Sequence, residues 1–155
     1  MSAPPASDER SEAAVAADLL AHGASVHLLS AALTVAAVVA TLALAITLPN
    51  RVAMALASLA AVAGIAETWF ALRVGFDARI FRRLSRGADA DGFAVSSFDA
   101  SMAALGLMPA GKAGRPIAER ARGAMRLLGR QVALLLVQVV LLLAAGWVLA
   151  ATRGT

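Results

Sequence analysis

Glu67 is the only Asp, Glu, Lys or Arg inside three long apolar stretches, Val26–Leu48, Val52–Leu72 and Val132–Thr152. A carboxylate costs about 2.5–3.5 kcal/mol at the centre of a membrane helix and less toward an end. It can serve as a hydrogen-bonding contact between helices, as a group whose head stays near water, as a proton or ion site, or as a catalytic base. The first two readings lead. No other acid lies in any of the three stretches, so a proton relay would have little to run along.

Spacing says which face Glu67 occupies. Ala53, Ala57, Ala60, Gly64, Glu67 and Ala71 step by four and three residues, which places them on one side of a helix. Small residues let helix backbones approach closely in lipid. This stripe (Ala53, Ala57, Ala60, Gly64, Ala71) is therefore expected to be a packing face that points Glu67 inward. The first stretch carries His27, Ser30, Thr34 and Thr41 along one line, and the third is entered through Gln131 and Gln138. An intramembrane polar cluster of His27, Thr34, Glu67 and Gln138 is expected. It would satisfy groups that lipid cannot.

Little else in the chain carries chemistry. Cysteine and tyrosine are absent, and the only histidines are His22 and His27. They stand five apart, whereas metal pairs on a helix prefer four, and no thiolate completes a site. Gly111-Lys112 lacks the glycine pattern and the following Ser or Thr of a phosphate-binding loop. No catalytic, cofactor-binding or metal-binding residue is assigned, and a non-enzyme is expected.

The elements that position Glu67 follow from length. A hydrocarbon core of about 30 Å needs roughly 20 helical residues. Each apolar stretch is that long. The chain has 155 residues, 60% of them hydrophobic, and a mean hydropathy of +0.77, which is high for a soluble domain. The expected fold is an all-α integral membrane protein with three transmembrane helices, at about 26–48, 52–72 and 132–152. Residues 1–24 are expected to form a tail with a short amphipathic helix, and residues 25–152 the membrane domain. Trp69 and Trp147, near opposite boundaries, read as interface anchors.

Charge gives the direction. Of 14 Lys and Arg residues, 11 lie between Arg73 and Arg130. Basic residues near span ends favour the cytoplasmic side. The 73–131 connection and the N-terminus are thus expected in the cytoplasm and the C-terminus outside, in a membrane such as the plasma membrane. The pI near 11.3 is explained by this topology, and no nucleic-acid partner is expected.

Local signals refine the elements. Val15, Leu19 and Leu20 are expected on one side of the N-terminal helix, with Gly23 closing it and Ser25 capping the first span. Pro49 should end that span. Phe76, Ile80 and Leu84 recur every four residues, so the second helix is expected to continue past the membrane. Its exposed Arg79, Arg82, Arg83 and Arg86 would meet anionic lipid headgroups or a partner. A break is expected at Gly87–Gly92. Ser97 would cap a short helix with Phe98, Met102 and Leu105 on one face, and Met108–Arg115 would form a loop. Pro116 suits the start of one helix running to Thr152. No heptad seam is evident.

These features point to a non-catalytic small membrane protein: a subunit, anchor or assembly factor of a larger complex, whose partners are membrane lipids and other membrane subunits or itself. The alternative is an oligomeric transporter or channel protomer built around Glu67.

Overall fold

A computed structural model describes residues 6–47, 50–86, 95–106 and 114–153. Every regular element among them is helical: α1 (Ala6–Ala21), α2 (Gly23–Thr47), α3 (Arg51–Ser85), α4 (Val95–Ala104) and α5 (Ile117–Arg153). Three stretches, ending in α2, α3 and α5, are long and apolar enough to cross a membrane. At about 1.5 Å per residue, α3 and α5 are about 52 and 55 Å long, well beyond a hydrocarbon core of about 30 Å. The expected Pro49 terminator and the Gly87–Gly92 break lie outside the described residues, as does most of the Met108–Arg115 loop.

The helix ends have identifiable causes. The Asn50 side chain accepts the Ala53 amide at 3.0 Å, and its carbonyl accepts the Met54 amide at 2.9 Å, so Asn50 caps α3. The Pro116 carbonyl accepts the Glu119 and Arg120 amides at 3.1 and 3.3 Å, so the proline sits at the cap of α5. The α1–α2 junction departs from expectation. His22 alone interrupts the helix, Gly23 already begins α2, and Ser25 lies inside it. Gly23 has no left-handed backbone and so closes nothing. Ser97 likewise falls inside α4, which begins at Val95.

Packing groups the chain into two compact units. One comprises residues 23–73 and 127–155, the other 1–22 and 74–126.

In the first unit, α2 buries Gly23, Ser30, Ala37 and Leu44, each seven residues after the last. On α5 the buried positions are Gln131, Gln138 and Ala145, again at sevens. On α3, Ala53, Ala57, Ala60, Gly64 and Glu67 are buried at alternating steps of four and three. That is the a/d pattern of heptad packing. The α3 stripe is the packing face its spacing led one to expect; its counterparts on α2 and α5 did not stand out as a heptad seam because, apart from Leu44, they are small or polar residues. Ala37, Ala60 and Ala61 form the apolar centre, with Leu141 and Leu142 against them. Ala71 is only partly buried. The outer surface is apolar, as Leu28, Val35, Ile46, Leu59, Ile65, Leu136 and Leu143 all lie exposed. Polar groups inside and aliphatic groups outside reverse the order found in water and suit a hydrocarbon solvent.

In the second unit, α1 buries Ala13, Ala16, Ala17 and Leu20, while Val15 and Leu19 stay exposed. The expected Val15–Leu19–Leu20 face is therefore wrong, because the close-packed side of α1 is the alanine side. The α3 segment buries Val74, Ala78 and Phe81, continuing the four-and-three rhythm, together with Leu84. The helix runs on to Ser85 as the Phe76–Ile80–Leu84 repeat led one to expect, but of that repeat only Leu84 is buried: Phe76 is 50% exposed against 3% for Phe81. On α4 the inward residue is Asp99. Leu105 lies past the helix end and is exposed, and the Phe98 side chain lies outside the described set.

Candidate functional site

The polar residues of the first unit form two rungs on the three-helix bundle, one helical heptad apart. In the lower rung Glu67 is fully buried, at 0% exposure. Gln131 Nε2 on α5 donates to Glu67 Oε1 at 2.7 Å and to the Gly23 carbonyl of α2 at 2.8 Å. His27 Nδ1 on α2 lies 3.0 Å from Glu67 Oε2, and with the carboxylate ionised the ring nitrogen donates. The His27 side chain is 38% exposed, so it connects the buried carboxylate to the surface of the bundle. Gln131 Oε1 is buried with no hydrogen-bond partner among the described residues.

In the upper rung the Gln138 amide uses both ends. Its Nε2 donates to Thr34 Oγ1 at 2.9 Å and to the Ser30 carbonyl at 3.3 Å, and its Oε1 accepts from Ser30 Oγ at 2.9 Å. Thr34 Oγ1 also donates to the Ser30 carbonyl at 2.7 Å. Both rungs join residues 108 apart, Gly23 to Gln131 and Ser30 to Gln138, so α2 and α5 lie side by side in constant register. Gly64 of α3 faces this rung. A Cβ there would overlap Thr34 Oγ1 and lie 2.6 Å from Gln138 Nε2. Glycine at 64 is thus a requirement of the close approach and not of backbone conformation.

The four residues expected to form one cluster therefore divide into pairs. His27 meets Glu67, and Thr34 meets Gln138. No hydrogen bond among the described residues joins Gln138 to Glu67. The α5 partner of Glu67 is Gln131, one heptad earlier. Gln131 and Ser30 lay on the polar lines visible in the sequence, but depth along the helix could not be read closely enough to choose between successive turns. Other hydroxyls in the spans bond back to their own helices, as Thr41 does to the Ala37 carbonyl at 2.9 Å and Thr68 to that of Gly64 at 3.0 Å.

Trp69 and Trp147 are both exposed on the outer surface, and the Arg73 guanidinium lies 4.9 Å from the Trp69 ring centroid. Arg79, Arg82, Arg83 and Arg86 are all exposed. His22 Nδ1 bonds the Asp18 carbonyl at 3.0 Å, and among the described residues no group of three or more His, Cys, Asp or Glu side chains could hold a metal ion.

The second unit holds a polar contact that spacing did not suggest. Asp99 Oδ2 accepts Arg120 Nη2 at 2.7 Å and the Gly114 amide at 2.8 Å, clamping α4 to the start of α5. Burial pushes the carboxyl upward, but the Arg120 hydrogen bond and charge and the Gly114 N–H outweigh it, so Asp99 titrates below its ordinary value. Gly114 has φ of 72°, a left-handed backbone that glycine adopts without strain. Asp99 and Arg120 are 21 residues apart on separate helices, and no local pattern links them.

No protein-family model, curated protein or solved structure matches the chain.

Proposed function

We propose that this chain is a non-catalytic component of a larger membrane assembly, acting as a subunit, anchor or assembly factor. The observation that carries the reading is the use made of the spans' polar groups. Glu67, Gln131, Ser30, Thr34 and Gln138 are spent on one another, tying α2, α3 and α5 together. What the bundle offers outward is an apolar face suited to lipid and to neighbouring helices. The exposed arginines Arg79, Arg82, Arg83 and Arg86 suit anionic headgroups or an acidic partner beneath the membrane, each worth about 1 kcal/mol near an anionic surface. Their position favours a cytoplasmic connection, a cytoplasmic N-terminus and an external C-terminus. Purification from native membranes in mild detergent tests the role: stoichiometric companions are expected, and a lone monomer would overturn it.

A second reading rests on one contact. Partly exposed His27 reaches fully buried Glu67 and gives a proton or cation a route to an intramembrane carboxylate. An oligomeric transporter or channel protomer would use that route. Proteoliposomes carrying the protein would then show ion- or pH-driven flux that Glu67→Gln abolishes; equal flux in empty liposomes counts against it.

A further inference from the structure

In the second unit α1 and α5 enclose an open cavity of about 460 Å³. Its apolar walls are Val15 and Leu19 of α1 and Ala121 and Met125 of α5, and Glu12 and Arg122 stand on opposite sides of it. Val15 is 60% exposed and Leu19 49%. These side chains belong to a helix with five charged residues in sixteen, Asp8, Glu9, Arg10, Glu12 and Asp18, which is not a lipid-spanning composition. Large apolar groups left open on such a helix mark a surface that something covers.

The charges choose the occupant. Neither Glu12 nor Arg122 forms an ion pair among the described residues, and Arg122 Nε only caps its own helix at the Ala118 carbonyl, at 3.3 Å. A purely anionic ligand would meet Glu12, and a cationic one Arg122. A surface bearing one free acid and one free base across an apolar groove is complementary to itself. A two-fold axis would set Glu12 of each copy against Arg122 of the other, and Val15 and Leu19 of each against the apolar wall opposite.

We infer that the α1–α5 groove is a homodimer interface whose occupant is the same groove of a second copy. This rests on the assembly role proposed above and names one of its partners.

The absence of cysteine makes the test clean. In native membranes under mild oxidation, co-expressed Val15→Cys and Met125→Cys chains should form mixed disulfide-linked dimers severalfold more than Val15→Cys with Leu143→Cys, whose side chain is exposed on the apolar surface of the other unit. Arg122→Glu should weaken dimerisation of the protein in nanodiscs about tenfold. Adding Glu12→Arg should restore it. Rescue by the swapped pair separates a true contact from loss of folding. The inference is overturned by equal cross-linking of Val15→Cys to positions 125 and 143, by charge reversals without effect, or by native mass spectra showing no dimer but a complex with an unrelated protein only. In that last case the assembly role stands while the self-pairing falls, so the two failures are told apart.

Discussion

Position 64 shows how one hydrogen atom decides a contact. Gly64→Ala adds a methyl where Thr34 Oγ1 and Gln138 Nε2 already sit. Overpacking of this kind costs about 1–3 kcal/mol, so the melting temperature in detergent should drop clearly. Gly146→Ala is the control: nothing lies within 4 Å of its added Cβ, and alanine favours a helix, so stability should hold or rise. At Glu67 the partners predict a graded outcome. Glu67→Gln keeps an oxygen for Gln131 and should cost little. Glu67→Leu takes one of the two acceptors from the Gln131 amide and the partner from the His27 ring, at a cost of about 1–2 kcal/mol, measurable by unfolding in mixed micelles. The inward face of Glu67 was legible because alanines and a glycine flanked it at helical spacing. Its α5 partner was not, since Gln131 and Gln138 share a face and differ only in height.

Among the elements, α3 offers a test of which face packs. Phe81→Ala should cost about 3–5 kcal/mol of the stability of the second unit, whereas Phe76→Ala should cost little. Periods of four fit Phe76–Ile80–Leu84 in the sequence, yet a packed helix follows alternating threes and fours, and only the continuation from Ala53 through Phe81 distinguishes them. Helix α4 depends on Asp99. The folded-state pKa is depressed, so the clamp's contribution is complete above the unfolded value of about 3.9 and is lost as pH falls through the folded one. Amide-exchange protection of α4, corrected for intrinsic rates, should be constant from neutral pH to about 5 and fall only below about 3.9. Asp99→Asn should lower that protection at neutral pH as well. Residues far apart in sequence and joined by one ion pair leave no periodic trace, so this contact became visible only in three dimensions.

At the level of the whole molecule, length and hydropathy were enough to identify three helices able to span a membrane, because the bilayer sets a length that few soluble helices share. Direction rests on the arginines. Reporter fusions at the two ends should be active on opposite sides, with the N-terminal one cytoplasmic; two signals on one side would refute the proposed topology. The constant offset between α2 and α5 has a mechanical corollary. Gly23 is tied to Gln131 and Ser30 to Gln138, both 108 residues apart. Two rods pinned at two heights cannot slide past one another singly at either pin: any displacement of α5 along α2 breaks both rungs together. The rungs thus act as a latch on depth within the bundle.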